Sequence, residues 1–376
     1  MQSSAGYRNE AFPETSPPER EIDLLRTAIS ALRDRLPESW NLEAEEEVRT
    51  ELGRQIDAVV RLLPPDGQRL TLLVEAKRLL NARDVPIALE QLRNAGWAGS
   101  GTTLNVLVAR YLAPSTRERI AQEGAGYIDA TGNIRITTDR PALFVSDRGA
   151  DRDPWRGPGR PRATLQGPPA ARVVRALVDF TPPYTVPELI KRARTSNGAT
   201  YRVVEFLEQE DLLVREPYGQ ITEVRWRPLL MRWSQDYGFS QSNTVATFLE
   251  PRGLTALKNR LVSLENLDYV LTGSLATELV TAYAPYAPPR LAMLYVNDIG
   301  IAKRELGLRE AESGGNVALA ATEYDVVFER SETVGKIKMA ALSQVAVDLL
   351  SGPGRNPTEA VALLDWMEGN ERSWRR

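Results

Sequence analysis

Residues 186–207 read VPELIKRARTSNGATYRVVEFL, and this stretch decides the fold of the middle of the chain. Its apolar residues recur at helical spacing on both sides of the turn-forming run TSNG at 195–198, which predicts two short helices joined by a tight turn. A helical stretch at 170–180 precedes them, and strand-like runs at 212–215 and 221–226 follow, separated by a Pro-Tyr-Gly turn. Three helices followed by a β-hairpin are the outline of a winged helix-turn-helix.

A module of this kind inserts the start of its recognition helix into the major groove of DNA. We therefore expect the residues around the TSNG turn to contact bases, and the basic residues near it to meet backbone phosphates. Use of the same module for contact with another protein stays open as an alternative. The predicted DNA-binding side chains are Ser196, Thr200, Tyr201 and Arg202 at the recognition helix, Lys191, Arg192 and Arg194 on the helix before it, and Arg215 on the wing.

Positive charge is concentrated in the same part of the chain. The 376 residues carry 47 Lys and Arg against 50 Asp and Glu, a net charge of −3, yet residues 148–202 hold eleven basic and only four acidic side chains. Residues 147–169 contain five Arg, five Pro and four Gly with almost no large apolar side chains, so we expect a basic linker there. The run GRPR at 159–162 is similar to the core of an AT-hook, which would place Arg160 and Arg162 in an A·T-rich minor groove.

The composition also limits the chemistry. The chain has no Cys and no His, which excludes disulfides, thiolate nucleophiles, Cys-type zinc sites and Ser-His-Asp triads. Any catalysis must therefore use carboxylates, lysine, tyrosine, hydroxyls or an oxygen-bound metal. No run of about 20 apolar residues occurs, so we expect no membrane span and a cytoplasmic, nucleoid-associated protein.

One candidate site that needs neither His nor Cys lies in the N-terminal third. Residues 56–62 and 70–77 are β-like runs on either side of a PPDG turn signal, which predicts a hairpin. Asp57 lies on the first strand, and Glu75 and Lys77 share one face of the second because strand side chains alternate. Two carboxylates can hold Mg²⁺ with waters and a phosphate oxygen, and the ammonium can orient or help deprotonate an attacking water. An ordinary ion pair at a strand end stays open as the alternative.

The order of elements around this hairpin, α-β-β-α-β-α-β over residues 21–146, resembles the core of the PD-(D/E)XK nuclease superfamily, which has the restriction-endonuclease-like fold. The resemblance implies that Asp57 and Glu75 are metal ligands, that Lys77 is the catalytic lysine and that Gln91 is an accessory residue. It implies Mg²⁺ as the cofactor if the site is active. Because this fold often serves as a catalytically silent platform, fold and activity are separate expectations.

The C-terminal region, 228–376, contains the run LTGS at 271–274 followed by a helix. This is similar to the Gly-Ser opening of nucleotidyltransferase domains, where backbone N–H groups hold a phosphate. Such domains also need an Asp-x-Asp pair on the next strand, and residues 290–298 offer none, so we expect an inactive nucleotidyltransferase-like α+β domain. Strands are predicted at 269–274, 290–296 and 317–319, and helices at 343–350 and 358–368.

A second resemblance covers most of the chain. Its motifs are ARYL at 109–112, GYIDATGN at 126–133 and LSQVAVDLL at 342–350, followed by GPGRNP at 352–357. With the winged helix, these motifs resemble the AbiEi-type antitoxins of type IV toxin-antitoxin and phage-defence loci. The resemblance implies a transcriptional regulator that represses its own promoter through the winged helix and whose C-terminal region acts against a nucleotidyltransferase toxin.

Together these patterns predict an α/β and α+β multidomain protein that regulates transcription by binding double-stranded DNA. The alternatives are a Mg²⁺-dependent endonuclease acting in DNA repair or defence, and a scaffold for a protein partner. We expect a homo-oligomer and, as partner besides DNA, a cognate toxin or another protein. The expected parts are a disordered N-terminus at 1–20, a nuclease-like domain at 21–146, the linker at 147–169, the winged helix at 170–227 and the nucleotidyltransferase-like domain at 228–376.

Overall fold

The computed structural model describes residue 18 and residues 20–65, 67–99, 101–155, 164–264, 267–280, 288–311 and 313–376. Its contacts divide the chain into two compact units, 1–160 and 161–376. Most of the N-terminus expected to be disordered, and the GRPR run with Arg160 and Arg162, lie outside the described residues. None of the described helices is long and apolar enough to cross a membrane.

The first unit is built on one sheet of seven strands, hydrogen-bonded to one another in chain order. The third, fourth and fifth strands run parallel, and all other neighbours run antiparallel. The strands are β1 (Asn41–Arg49), β2 (Gln55–Leu63), β3 (Leu70–Lys77), β4 (Thr102–Ala109), β5 (Gly126–Asp129), β6 (Ile134–Asp139) and β7 (Ala142–Asp147).

Helices cover both faces of the parallel strands. The helix α1 (Glu21–Arg33) packs on the face that carries Val74 and Ala76, and α2 (Val85–Arg93) and α3 (Pro114–Gln122) pack on the opposite face. Because apolar side chains alternate between these two cores, β3 is buried along almost its whole length. A polar side chain on β3 near its carboxyl end is therefore held between covered surfaces.

The predicted order α-β-β-α-β-α-β is found as α1, β2, β3, α2, β4, α3 and β5, and the two predicted hairpin strands coincide with β2 and β3 to within one residue at each end. The sequence did not predict β1. Its run LEAEEEVR carries charges on both faces and stays mostly exposed, because β1 is an edge strand. Charged edge strands discourage pairing with other chains, and they show no apolar alternation from which a strand could be predicted.

Residues 148–153, which the composition assigns to a linker, lie against the turn between β5 and β6. The buried Asn133 side chain donates to Ala150 O at 3.0 Å and accepts from Gly149 N at 3.0 Å. A Cβ at Gly149 would lie 2.1 Å from Thr131 O, so only glycine fits this approach. Polar contacts, rather than apolar ones, thus make this segment part of the first unit. Two ion pairs fasten it further, Arg110 with Asp153 and Arg117 with Asp151.

The second unit opens with α4 (Pro168–Asp179), β8 (Tyr184–Thr185), α5 (Val186–Ala193), α6 (Asn197–Gln209), β9 (Leu213–Arg215) and β10 (Gln220–Val224). The three strands pair antiparallel in the order β8-β10-β9. The three helices and the hairpin expected from the sequence are therefore confirmed, whereas β8, only two residues long, was not predicted. We call these elements the tri-helical segment, residues 164–225.

Local chemistry fixes the turn between α5 and α6. Thr185 and Glu188 exchange hydrogen bonds in a capping box at the start of α5. Arg194 ends α5 with a left-handed backbone, φ 50°. The Ser196 hydroxyl then caps α6 by accepting from Ala199 N at 3.3 Å. The two helices are thus separated where the TSNG run predicted.

The remainder contains the α-helices α7 (Trp226–Trp233), α8 (Leu254–Ser263), α9 (Gly273–Thr277), α10 (Ile299–Glu305), α11 (Leu342–Leu350), α12 (Asn356–Gly369) and α13 (Glu371–Trp374). Its strands are β11 (Thr244–Leu249), β12 (Tyr269–Thr272), β13 (Ala292–Val296), β14 (Arg309–Glu310), β15 (Val317–Ala321), β16 (Glu332–Val334) and β17 (Ile337–Met339). They form one mixed sheet in the order β14-β11-β15-β13-β12-β17-β16. Of these strands, β12, β13 and β15 were predicted, and so were α11 and α12. Short 3-10 helices lie at Ala82–Asp84 and Asp325–Phe328.

One continuous apolar core joins the tri-helical segment to this second sheet. It includes Val174 and Leu177 of α4, Trp233 of α7, and Val345 and Leu349 of α11. The described residues thus form a mixed α/β chain with three sheets and thirteen α-helices. Within the second unit, the helices that carry the predicted DNA contacts share their core with the C-terminal region.

Candidate functional site

The start of α6 presents polar side chains to solvent. Asn197, Tyr201 and Arg202 are exposed there, and the Tyr201 side chain is 40% exposed. Arg202 Nε donates to Gly198 O at 3.0 Å, which holds the guanidinium beside the first turn of the helix. Because the unpaired N–H groups of a helix N-terminus also carry partial positive charge, both features favour an anion at this place.

Thr200, predicted as a contact, is fully buried. Its hydroxyl lies 2.7 Å from Thr195 Oγ1 and donates to Ser196 O at 3.2 Å. These bonds fasten the turn before α6 from inside. Thr200 is therefore a structural residue of the turn, because its one hydroxyl is already engaged and faces away from solvent.

The basic residues of α5 and its exit do not act as one surface. Lys191 is exposed. The Arg192 guanidinium lies 4.7 Å from the ring of Phe180 and 4.9 Å from that of Tyr184, a cation–π arrangement. Arg194 NH1 lies 3.8 Å from a carboxylate oxygen of Glu329. Of these three residues, Lys191 is the one for which the described residues show neither a ring contact nor an ion pair of this kind.

The predicted wing residue Arg215 is engaged within the protein. Arg215 NH2 lies 2.7 Å from Glu208 Oε2, and both side chains are less than one quarter exposed. This pairing offsets the positive charge that was expected to meet phosphate. The side chain that the hairpin turn presents instead is Tyr218, which is 99% exposed. A fully exposed aromatic ring at a turn is a candidate for stacking on a partner.

The three residues of the nuclease-like pattern do lie together. The register of β2 and β3, continued by one position beyond Ala58 and Val74, places Asp57 opposite Glu75. Asp57 Oδ2 accepts a hydrogen bond from Ala76 N at 2.8 Å, and Lys77 Nζ lies 2.5 Å from Glu75 Oε1. Strand alternation therefore brings two carboxylates and one ammonium to the carboxyl end of β3.

Burial sets the charge state of this cluster. Burial raises the pKa of Glu75. The hydrogen bond from Lys77 opposes this rise, and the charge of the nearby Asp57 carboxylate adds to it by a smaller amount. Burial by itself would lower the pKa of Lys77, but its hydrogen bond and charge attraction to Glu75 outweigh that effect and raise it. The ammonium thus stays protonated and is suited to stabilising charge rather than to accepting a proton.

Metal binding at this cluster would rely on ligands beyond the protein. Among the described residues, no group of three or more Asp, Glu, His or Cys side chains could hold a metal ion. Asp57 and Glu75 would supply two oxygen ligands, and waters and a phosphate oxygen the rest, as is usual for Mg²⁺. Gln91, predicted as an accessory, is exposed on α2, and the described contacts do not link it to the cluster.

The Gly-Ser turn of the C-terminal region is occupied by internal bonds. Gly273 has φ 67°, and Ser274 Oγ donates to Glu359 Oε2 at 2.5 Å. Thr277 donates to the other oxygen of Glu359 at 2.7 Å. Asp298, at the end of β13, caps α10 by accepting from Ile301 N. The serine that would face a nucleotide phosphate is thus bound to a buried carboxylate.

Sequence reasoning missed a buried polar junction between α4 and α11. Arg175 is 2% exposed, and its guanidinium donates to the Asp179 carboxylate at 2.9 Å and to Gln344 Oε1 at 3.1 Å. Ser343 Oγ donates to the other oxygen of Asp179. In the sequence, the only signal is a set of polar residues on the apolar faces of two helices, and the partners are 164 and 169 residues apart.

The junction continues into a buried carboxyl group. Asp348 accepts hydrogen bonds from Thr272 Oγ1 at 2.6 Å, from the Tyr295 hydroxyl at 2.7 Å and from Gln344 Nε2 at 3.0 Å. Burial raises the pKa of Asp348 to about 7, although these donors oppose the shift. Asp348 is therefore a titrating group at the centre of the second unit.

We predict that Asp348→Asn makes the stability of the second unit less dependent on pH. The pKa of Asp348 is higher in the folded chain than in the unfolded chain, so its proton favours folding at low pH. That contribution is lost as pH rises from about 4 to about 7, by at most about 1.4 kcal/mol per pH unit. Asparagine keeps an acceptor for Tyr295 and carries no charge.

Thermal unfolding of both proteins across this pH range is the measurement. The difference in stability, wild type minus variant, is expected to fall with rising pH and to level off above 7. The control is Asp268→Asn, at an exposed position, which should follow the wild-type profile. Parallel wild-type and Asp348→Asn profiles would contradict the prediction.

Comparison of the chain with protein-family models, with curated proteins and with solved structures gave no match. Function is therefore inferred from the contacts, exposure and charge of the side chains described above.

Proposed function

We propose that the tri-helical segment is a winged helix-turn-helix that binds duplex DNA and that the protein is a transcriptional regulator of antitoxin type. The order α4-β8-α5-α6-β9-β10, with a tight turn before α6 and a hairpin after it, supports the winged-helix interpretation. The observation that carries the proposal is the exposed start of α6. There Arg202 and Tyr201 flank a capped helix N-terminus.

The dimensions and charge of α6 support a major-groove role. Its 13 residues make a rod about 20 Å long, and a major groove about 12 Å wide admits such a helix. Ser196 and Arg202 lie at the end that would enter, where the helix dipole attracts phosphate. Lys191 adds an exposed ammonium on α5, and Tyr218 adds an exposed ring on the wing. Arg192, Arg194 and Arg215 contribute less, because their guanidinium groups already have contacts within the protein.

The wider roles rest on resemblance. The motifs at 109–112, 126–133 and 342–350 support an AbiEi-type antitoxin, whose partner would be a cognate toxin. The C-terminal region supports a nucleotidyltransferase-like shape that lacks a carboxylate pair on β13. The proposal also includes a homo-oligomer, since paired winged helices read repeated half-sites, and Arg160 and Arg162 as additional minor-groove contacts.

We predict that Arg202→Ala weakens duplex binding about tenfold, because it removes a charged contact worth about 1–3 kcal/mol. The binding free energy is measured by fluorescence anisotropy with a random-sequence duplex about three helical turns long, at about 50 mM and about 200 mM salt. If Arg202 contacts a phosphate, the slope of the logarithm of the binding constant against the logarithm of the salt concentration also becomes shallower by about 1. Arg304→Ala, at an exposed position on α10, is the control and should bind like wild type.

Equal affinities of Arg202→Ala, Arg304→Ala and wild type would mean that α6 is not the contact. A wild-type protein that retards no duplex at about 50 mM salt would contradict DNA binding altogether. That second result would favour the alternative of a scaffold for a protein partner.

A second candidate function is a Mg²⁺-dependent endonuclease of the PD-(D/E)XK type in the first unit. The specific observation in its favour is the cluster of Asp57, Glu75 and Lys77 on neighbouring strands. Asp57 and Glu75 would hold the ion, which lowers the pKa of a bound water. Lys77 would stabilise the charge that develops on the phosphate, and Gln91 would assist only if α2 approaches the substrate.

For this candidate, Lys77→Met is expected to abolish Mg²⁺-dependent nicking of supercoiled plasmid while leaving duplex affinity unchanged. Asp57→Ala should behave in the same way, because it removes a ligand of the ion. Lys336→Met, at an exposed lysine of the other unit, is the matched control. The candidate fails if wild type gives no nicking with Mg²⁺, or if Lys77→Met nicks as fast as wild type.

A further inference from the structure

A cavity of about 310 Å³ lies beside the carboxyl end of α4, and four of its eight lining residues are arginine. Its lining carries four guanidinium groups and only two carboxylates. The lining of the cavity therefore carries an excess of positive charge. These residues come from α4, from the end of α5 and from the segment after the 3-10 helix at Asp325–Phe328. The charged lining residues are Arg175, Arg192, Arg194, Arg330, Asp179 and Glu329.

The two carboxylates are already committed. Asp179 accepts from Arg175 at 2.9 Å and from the Ser343 hydroxyl. Glu329 lies 3.8 Å from Arg194. Arg330 NH1 also lies 3.5 Å from Asp179 Oδ2, so Arg175 and Arg330 share this carboxylate. The guanidinium of Arg192 lies over aromatic rings. The guanidinium of Arg330 lies 5.2 Å from the centre of the Phe180 ring, which Arg192 also faces. Two cations thus share one aromatic ring at the wall of the cavity.

Arg330 is incompletely bonded. Its NH1 and NH2 groups donate to Asp179 O at 2.6 Å and to Trp374 O at 3.0 Å, so they cap the end of α4. Its Nε is buried and has no hydrogen-bond partner among the described residues. Burial lowers the pKa of Arg330 and the positive charges of Arg376 and Arg175 add to that effect, against the attraction of Asp179. A buried guanidinium with an unpaired N–H group is costly.

Capping explains part of this arrangement, because cations are favourable at a helix carboxyl end. It leaves two features unexplained. Arg330 Nε has no hydrogen-bond partner among the described residues, and the Arg192 side chain is exposed although it lies over two rings. An anion in the cavity would account for the exposed guanidinium of Arg192 and for the excess of positive charge in the lining.

We propose that this cavity binds a small free oxyanion, such as phosphate or the phosphoryl group of a small metabolite. Guanidinium groups bind such oxygens through paired N–H donors. Arg192 supplies exposed N–H donors, and Arg175 and Arg330, only 2% and 15% exposed, supply positive charge behind it. A small ion can enter such a cavity more deeply than the rigid backbone of a DNA duplex. The lining contains no residue of α6, but it includes Arg192 and Arg194, which are also predicted phosphate contacts of the winged helix.

Isothermal titration of the full chain with inorganic phosphate and with pyrophosphate, in chloride buffer of matched ionic strength, tests this proposal. Wild type is expected to bind one oxyanion per chain saturably. Arg192→Gln removes an exposed guanidinium without disturbing the helix cap and should weaken binding about tenfold or more. Arg330→Gln should weaken it as much. If the Arg330→Gln variant does not fold because the cap at the end of α4 is lost, the proposal is judged on the Arg192→Gln variant alone.

Arg304→Gln on α10 removes the same charge elsewhere and is expected to bind the oxyanion like wild type. The absence of saturable binding by wild type, or an equal loss in Arg192→Gln and Arg304→Gln, would overturn the proposal. The same variants are titrated with random-sequence duplex. If Arg192→Gln weakens duplex binding about tenfold and phosphate does not compete, these arginines are DNA contacts and the proposal is wrong. Phosphate binding by a protein that binds no duplex would support this site and count only against the DNA-binding function.

Discussion

The second unit depends on keeping one buried guanidinium satisfied. Arg175 is nearly without solvent contact, so its charge is tolerated only if every donor is bonded and a carboxylate lies beside it. Its own helix supplies Asp179, α11 supplies Gln344, and the segment before β16 supplies the carbonyls of Val326 and Glu329. Removing the Asp179 carboxylate would leave a buried charge unpaired, which costs about 3–5 kcal/mol.

This requirement ties the predicted DNA-binding helices to the C-terminal region. α4 is the first helix of the tri-helical segment, and its apolar side enters the same core as α7 and α11. The polar junction makes the packing of α4 in that core specific, because its hydrogen bonds fix the rotation of α4 about the helix axis. α6 packs on α4 and is thus presented from a rigid base. Arg175 and Asp179 of this junction also line the arginine-lined cavity, so the junction and the proposed anion site share two residues.

Sequence reasoning succeeded where the signal was local. The TSNG run and the helical spacing around it predicted α5 and α6, and strand alternation predicted that Asp57, Glu75 and Lys77 would meet. It did not predict β1 or the short strands at the edges of the second sheet, because exposed or very short strands lack an apolar pattern.

Several predicted contact residues have partners within the protein that lie far along the chain or inside a turn. Arginine commonly binds phosphate, but here Arg192 lies over the Phe180 ring and Arg194 lies near the Glu329 carboxylate. Arg215 is paired with Glu208. Thr200 is buried by the turn that it stabilises. A surface position for a basic residue can be inferred from helical period, but its freedom to bind depends on tertiary neighbours. The pairs Arg175–Gln344 and Thr272–Asp348 could not be inferred from one sequence.

Native-state hydrogen exchange of the full chain tests most directly whether the tri-helical segment and the C-terminal region are one folded unit. The slowest amides of α4, α6 and α11 are expected to exchange with one common opening free energy, because the shared core and the Arg175 junction must open together. A clearly lower opening free energy for α4 and α6 than for α11 would contradict this account, since the predicted DNA-binding helices would then unfold independently of the C-terminal sheet.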